Sequence, residues 1–126
     1  MVTSSSSFTV LPAADIARAR EFYLDKLGLE PFLDSTDNLM YGSEASPDLL
    51  IYQTTNAGTA QNTQMCFAVP DIQAARDELR GKGVTFEDYD FGDTRTVDGI
   101  ADFATEYSAW FKDSEGNYIC LTQAKK

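Results

Sequence analysis

Apolar and polar positions along this chain repeat with two different periods, and the switches between them mark the elements. Phe8-Thr9-Val10-Leu11-Pro12-Ala13 is a short strand, with Pro12 placing it at a sheet edge or strand end. Asp15 then supplies an N-cap, and Ile16, Ala19, Phe22, Tyr23 and Leu27 recur at helical spacing until Gly28 stops the helix. Leu29 to Leu33, Asn38 to Tyr41 and Leu49 to Thr54 follow as three short strands, separated by polar or glycine- and proline-containing turns. Thr55 to Thr63 is small, polar and aperiodic.

The pattern then starts again. Gln64 to Val69 is a strand, Asp71 caps a helix with Ile72, Ala75 and Leu79 on one face, and Gly81 and Gly83 end it. Val84 to Asp88 is expected as a strand. Phe91 to Phe103 is an acidic, glycine-containing connection that exceeds ordinary hairpin length and suggests a lid. Trp110 to Leu121 closes the chain with two apolar runs around Asp113-Ser114-Glu115-Gly116-Asn117, the composition of a tight hairpin turn. In that turn Asp113 and Asn117 are expected to bond the local backbone.

Each half is therefore β-α-β-β-β. Asp15-Ile16 and Ala19-Arg20 recur as Asp71-Ile72 and Ala75-Arg76, each 56 positions on, which marks an internal repeat. The predicted fold is α+β: two tandem βαβββ modules forming a curved mixed sheet with a concave cup. One domain spans 1–126, with module one at about 8–55, a linker at 56–63 and module two at about 64–123.

Composition narrows the function classes. The 126 residues hold 10 basic against 20 acidic side chains, a formal charge of −10. That argues against nucleic acid and anionic membranes, which are bound by neutralising phosphates. It suits a cationic ligand or simply a solvated acidic surface. No secretory leader or membrane-length apolar run is visible, and two cysteines make no disulfide framework, so a cytoplasmic location is expected. There is no histidine.

The chain resembles the vicinal oxygen chelate superfamily of glyoxalase I, bleomycin resistance proteins and extradiol dioxygenases. The resemblance rests on Asp15-Ile16 with Glu21-Phe22-Tyr23 and Leu27-Gly28-Leu29, on Phe67-Ala68-Val69-Pro70-Asp71-Ile72, and on Phe111 to Asn117, and it covers roughly 8–123. It implies paired βαβββ modules and a homodimer. Metal-using members place His, Gln or Glu at the start of each module's first strand and a carboxylate on its last. The matching positions here are Phe8, Gln64 and Cys120, with the fourth at about Ile51. Phe8 and Ile51 ligate nothing, and Gln64 with Cys120 falls short of the three or four ligands such a site requires. Neither metal nor cofactor is expected.

Counting by twos from the family's ligand positions puts Phe8, Val10, Leu49, Ile51, Gln53, Gln64, Cys66, Tyr118, Cys120 and Thr122 on the inner face, and the resemblance implies the same face for Trp110, three before Asp113. This is an aromatic and aliphatic cup with a few hydrogen-bonding groups, the make-up of a small-molecule pocket. The ligand-binding set is Phe8, Val10, Ile51, Gln64, Cys66, Trp110, Tyr118 and Cys120, with no catalytic residue assigned. With no histidine to activate them, Cys66 and Cys120 are expected to be buried, inert thiols. Asp102 and Glu106 either meet a cationic ligand or lie on a solvated loop. The expected function is metal-independent binding of an aromatic or cationic compound, as the resemblance to bleomycin resistance proteins implies. The alternatives are a glyoxalase-like lyase or isomerase with a non-standard site, and a dimeric interaction module without ligand.

Overall fold

A computed structural model describes residues 2–126, and the chain divides into two units. The first comprises Met1–Ala60 together with Ser114–Asn117, the second Gln61–Asp113 together with Tyr118–Lys126. The fold is α+β, consistent with tandem βαβββ modules: the first unit has one helix on four strands, and the second has one helix on six.

In the first unit, helix α1 (Ile16–Leu27) begins where the Asp15 carboxylate accepts from Arg18 N at 3.1 Å. It ends at Gly28, whose φ of 70° lets its N–H donate to the Leu24 carbonyl. Four strands form one sheet: β1 (Thr9–Ala13), β2 (Leu33–Asp34), β3 (Asn38–Gly42) and β4 (Pro47–Gln53), in the order β1-β4-β3-β2. Only the β1–β4 pair is parallel. Leu11, Leu39, Tyr41, Leu49 and Ile51 alternate into the buried layer, where they join Ile16, Ala19 and Tyr23 of α1. The Tyr23 and Tyr41 rings meet there at 5.9 Å.

Also in this unit is the turn Ser114–Asn117, which is not a free hairpin tip. Glu115 and Asn117 are buried. Asn117 Nδ2 donates to the Pro12 carbonyl at 2.9 Å rather than bonding only locally. The Glu115 carboxylate accepts from Ala14 N and Asp15 N at 2.9 and 3.0 Å, and from Arg18 Nε at 2.8 Å. It thereby supports the backbone just before α1.

In the second unit, α2 (Ile72–Gly81) repeats the same start: Asp71 accepts from Ala74 N at 3.1 Å. Ile72 N donates to Gln123 Oε1 at 2.9 Å, so here a glutamine on the last strand supports the helix start. The six strands are β5 (Thr63–Ala68), β6 (Asp90–Phe91), β7 (Thr94–Val97), β8 (Ile100–Asp102), β9 (Glu106–Lys112) and β10 (Tyr118–Ala124). Their order is β5-β10-β9-β8-β7-β6, with β5 parallel to β10. Ile72 and Leu79 of α2 are buried, as are Phe86, Phe111, Ile119 and Leu121 of the same unit.

Two expectations need correction here. Val84 to Asp88 is not a strand; only an isolated bridge joins Phe86 to Phe111. Residues 91–103 are not an irregular connection but two tight hairpins. Asp98 and Gly99 both take positive φ, 54° and 82°, which is the backbone a two-residue turn needs to match strand twist. Asp88 holds this meander, accepting from Thr96 Oγ1 at 2.9 Å and from Gly99 N at 3.0 Å. Among the described residues no helix is long and apolar enough to cross a membrane.

Candidate functional site

Strand pairing puts register partners on the same face of a sheet, so the face of the second unit turned away from α2 can be read row by row. Cys66, Cys120 and Trp110 form one row across β5, β10 and β9. Ala68, Thr122 and Ser108 form the next, and Ala124 with Glu106 the row beyond. On the other side of the Cys120 row lies Tyr118, opposite Lys112. The Lys112 ammonium sits 5.0 Å from the centre of the Tyr118 ring.

Trp110 belongs to a cluster of four aromatic side chains. Tyr89 stands edge-on to it at 5.4 Å and Phe103 at 6.3 Å, while Phe91 meets Tyr89 at 5.6 Å. Trp110 Nε1 donates to Thr63 Oγ1 at 3.0 Å, which satisfies the indole and fixes its plane. A cavity of about 590 Å³ is lined by residues of the neighbouring rows, among them Cys120, the register partner of Trp110. Its lining includes Cys66, Cys120, Ser108, Thr122 and Glu106. The Glu106 carboxylate accepts from the Thr105 hydroxyl. Burial, followed by the charge and hydrogen bond of Cys66, pushes the Cys120 thiol up to about 12.

A larger hollow of about 970 Å³ lies against the start of α2. Among its charged lining residues, Arg76 pairs with Asp77 and Asp98, and Asp102 with Lys125, while Asp71 and Arg95 also line it. Gln123 is taken up by Ile72 N. Asp102 therefore faces its own lysine rather than a vacant charge position. The smaller cavity, which adjoins the row holding Trp110 through Cys120, is the candidate ligand site.

The expected site residues divide between the units. Gln64, Cys66, Trp110, Tyr118 and Cys120 lie in the second, with Cys66, Cys120 and Trp110 in direct register. Phe8 and Val10 lie in the first and are exposed, Phe8 at 42%. Ile51 departs from its expected face. It pairs with Leu11, is 1% exposed and packs in the layer under α1, so Leu50 and Tyr52 take the opposite face. Leu49 moves with it. Cys66 also departs from expectation, being exposed where Cys120 is buried. Sequence reasoning did not single out Ser108, Tyr89 or Phe103. Ser108 was recoverable by stepping two positions from Trp110, whereas Tyr89 enters from an irregular segment that has no period to follow.

The side chains at the ligand positions do not fit a divalent metal ion. Phe8 and Ile51 have no donor atom, Gln64 Oε1 already accepts from Tyr118 N at 3.0 Å, and the Cys120 thiol is held protonated by burial. Among the described residues no three His, Cys, Asp or Glu side chains cluster as a ligand set.

The family profile of the Glyoxalase/Bleomycin resistance protein/Dioxygenase superfamily matches residues 6–121. No curated protein matches the chain by sequence. Solved structures share its fold at low identity. TnmS3, an antibiotic binding protein from Streptomyces sp. CB03234, is 19% identical with a TM-score of 0.67, over 97% of this chain and 98% of that one. A lactoylglutathione lyase from Agrobacterium tumefaciens is 18% identical with a TM-score of 0.70, over 95% and 93%. The fosfomycin resistance protein FosX from Listeria monocytogenes, complexed with Mn(II) and sulfate ion, is 14% identical with a TM-score of 0.69, over 97% and 91%.

Proposed function

The chain belongs to the glyoxalase/bleomycin resistance protein/dioxygenase superfamily, and from that premise we propose that it binds a small aromatic, cationic compound without metal and without turnover. One observation carries this reading. Trp110 and Glu106 stand on the same face of β9, four residues apart; Glu106 lines a cavity of about 590 Å³, and so does Cys120, the register partner of Trp110. Four residues of strand span roughly 13 Å, so one drug-sized molecule can stack a ring near Trp110 and direct a cation at Glu106. Indole rings attract both aromatic and cationic groups. That TnmS3 is an antibiotic binding protein supports the same class of ligand.

Titrating the protein with a panel of aromatic amines and cationic antibiotics, followed by Trp110 fluorescence and by thermal shift, tests the proposal. Bound compounds should quench the single tryptophan and raise Tm. Glu106→Gln should weaken a cationic compound by about tenfold and leave its neutral analogue unchanged, consistent with a charge-assisted contact of about 1.5 kcal/mol. If no compound in the panel shifts Tm or fluorescence in a folded sample, the binding reading fails. A stoichiometric divalent ion removable by EDTA would instead overturn the metal-independent part.

A further inference from the structure

Cys66 and Cys120 are register partners on the parallel strands β5 and β10, and both line the same cavity. Neighbouring strands lie about 4.8 Å apart, and disulfides bridge Cα separations of about 4.4–6.8 Å. A register pair on one face sits inside that window, so the bond requires side-chain rotation but no movement of the strands. The pair is also asymmetric. Cys66 is open to solvent, while Cys120 is 4% exposed and its Sγ–H donates to the Leu121 carbonyl at 3.3 Å.

We propose that this pair is a redox modification site, at which a hydroperoxide oxidises Cys66 and Cys120 then closes an intrachain disulfide. In the first step the Cys66 thiolate attacks the terminal peroxide oxygen. The S–O bond forms, the O–O bond breaks, and the departing alkoxide or hydroxide takes a proton to leave as alcohol or water. In the second step Cys120 Sγ attacks the Cys66 sulfenic sulfur. The S–S bond forms, the S–O bond breaks, and the Cys120 proton leaves with the hydroxide as water. Two thiols are oxidised by two electrons and one hydroperoxide is reduced by two.

The surroundings assign the order of these steps. Desolvation is the largest reason the Cys120 thiol resists ionisation, so it is not the group that meets peroxide first. The next cause is the charge of Cys66. That contribution vanishes once Cys66 is a neutral sulfenic acid, which eases the second step at the moment it is needed. The proposal does not depend on the binding reading above.

The test treats fully reduced protein with a small excess of hydrogen peroxide and measures intact mass, titratable thiols and peptides cleaved without reductant. Wild type should lose two hydrogens and both thiols as a monomer, and should yield one cross-linked peptide pair containing Cys66 and Cys120. Cys120→Ser should stop at a Cys66 sulfenic acid that dimedone traps, and Cys66→Ser should keep its mass unchanged. Circular dichroism of both variants confirms that they are folded. Stable over-oxidation of Cys66 in wild type without the cross-link would overturn the proposal. So would dimers joined through Cys66, or two thiols that stay reduced.

Discussion

Glu115 shows how one side chain can matter more than its place in a turn suggests. Burial alone pushes its carboxyl up. The hydrogen bonds from Arg18, Asp15 N and Ser114, with the charge of Arg18, outweigh this and hold it below the ordinary carboxylate value. Its side chain is fully enclosed, whereas that of Arg18 is about half exposed, so the cost of losing the pair falls mainly on the glutamate. Glu115→Gln places an amide against the N–H groups of Ala14 and Asp15 and should cost about 2–4 kcal/mol at pH 7. Because the folded value lies below the unfolded one of about 4.3, the charge stabilises the fold above that pH. This contribution is lost as pH falls through the folded value. Urea unfolding from pH 7 to pH 3 should show the gap between wild type and Glu115→Gln closing in the acid range. A gap that does not vary with pH would contradict this account.

Elements that obey a local rule were legible, and those set by distant partners were not. Asp15, Asp71 and Gly28 act as helix boundaries because capping is settled within three or four residues. The face of β4 escaped because Leu49, Leu50, Ile51 and Tyr52 are all apolar, so alternation cannot choose between the two sides. The meander at 90–102 did carry a signal, the Asp98-Gly99 dipeptide, but its strands are too short and polar for their period to stand out. Glu115 had none, since its partners lie 97 to 101 positions away. Of the candidate site, the Cys66, Cys120 and Trp110 row followed from alternation, while the Tyr89 and Phe103 rings did not. Turn glycines offer a test at this scale. A Cβ on Gly28 meets nothing within 4 Å, but one on Gly42 falls 2.7 Å from the Ser46 carbonyl and 2.9 Å from Asp48 N. Gly28→Ala should therefore cost about 1 kcal/mol from its φ alone. Gly42→Ala should cost at least twice as much, about 2 kcal/mol or more, because backbone must also move. Denaturant midpoints for the two variants check the ranking.

At the scale of the whole molecule, the excess of 20 acidic over 10 basic side chains creates a field that a cationic ligand feels before contact. Salt screens such a field over about 10 Å at 0.1 M. Raising NaCl from about 20 to 500 mM should weaken a cationic aromatic ligand several-fold, mostly through a slower on-rate. A neutral analogue should be unaffected, and stopped-flow fluorescence separates the two cases.

The placement of Ser114–Asn117 in the first unit also bears on how the chain is made. A ribosome releases residues in order, at about 5–20 per second, and domains fold as their segments emerge. The first sixty residues leave the tunnel without the glutamate that receives the Ala14 and Asp15 amides and without the amide that meets Pro12. The first unit therefore stays incomplete until residues 114–117 have been synthesised. Nascent chains stalled before residue 114 should be cut by protease within that unit, and chains stalled well beyond residue 117 should resist.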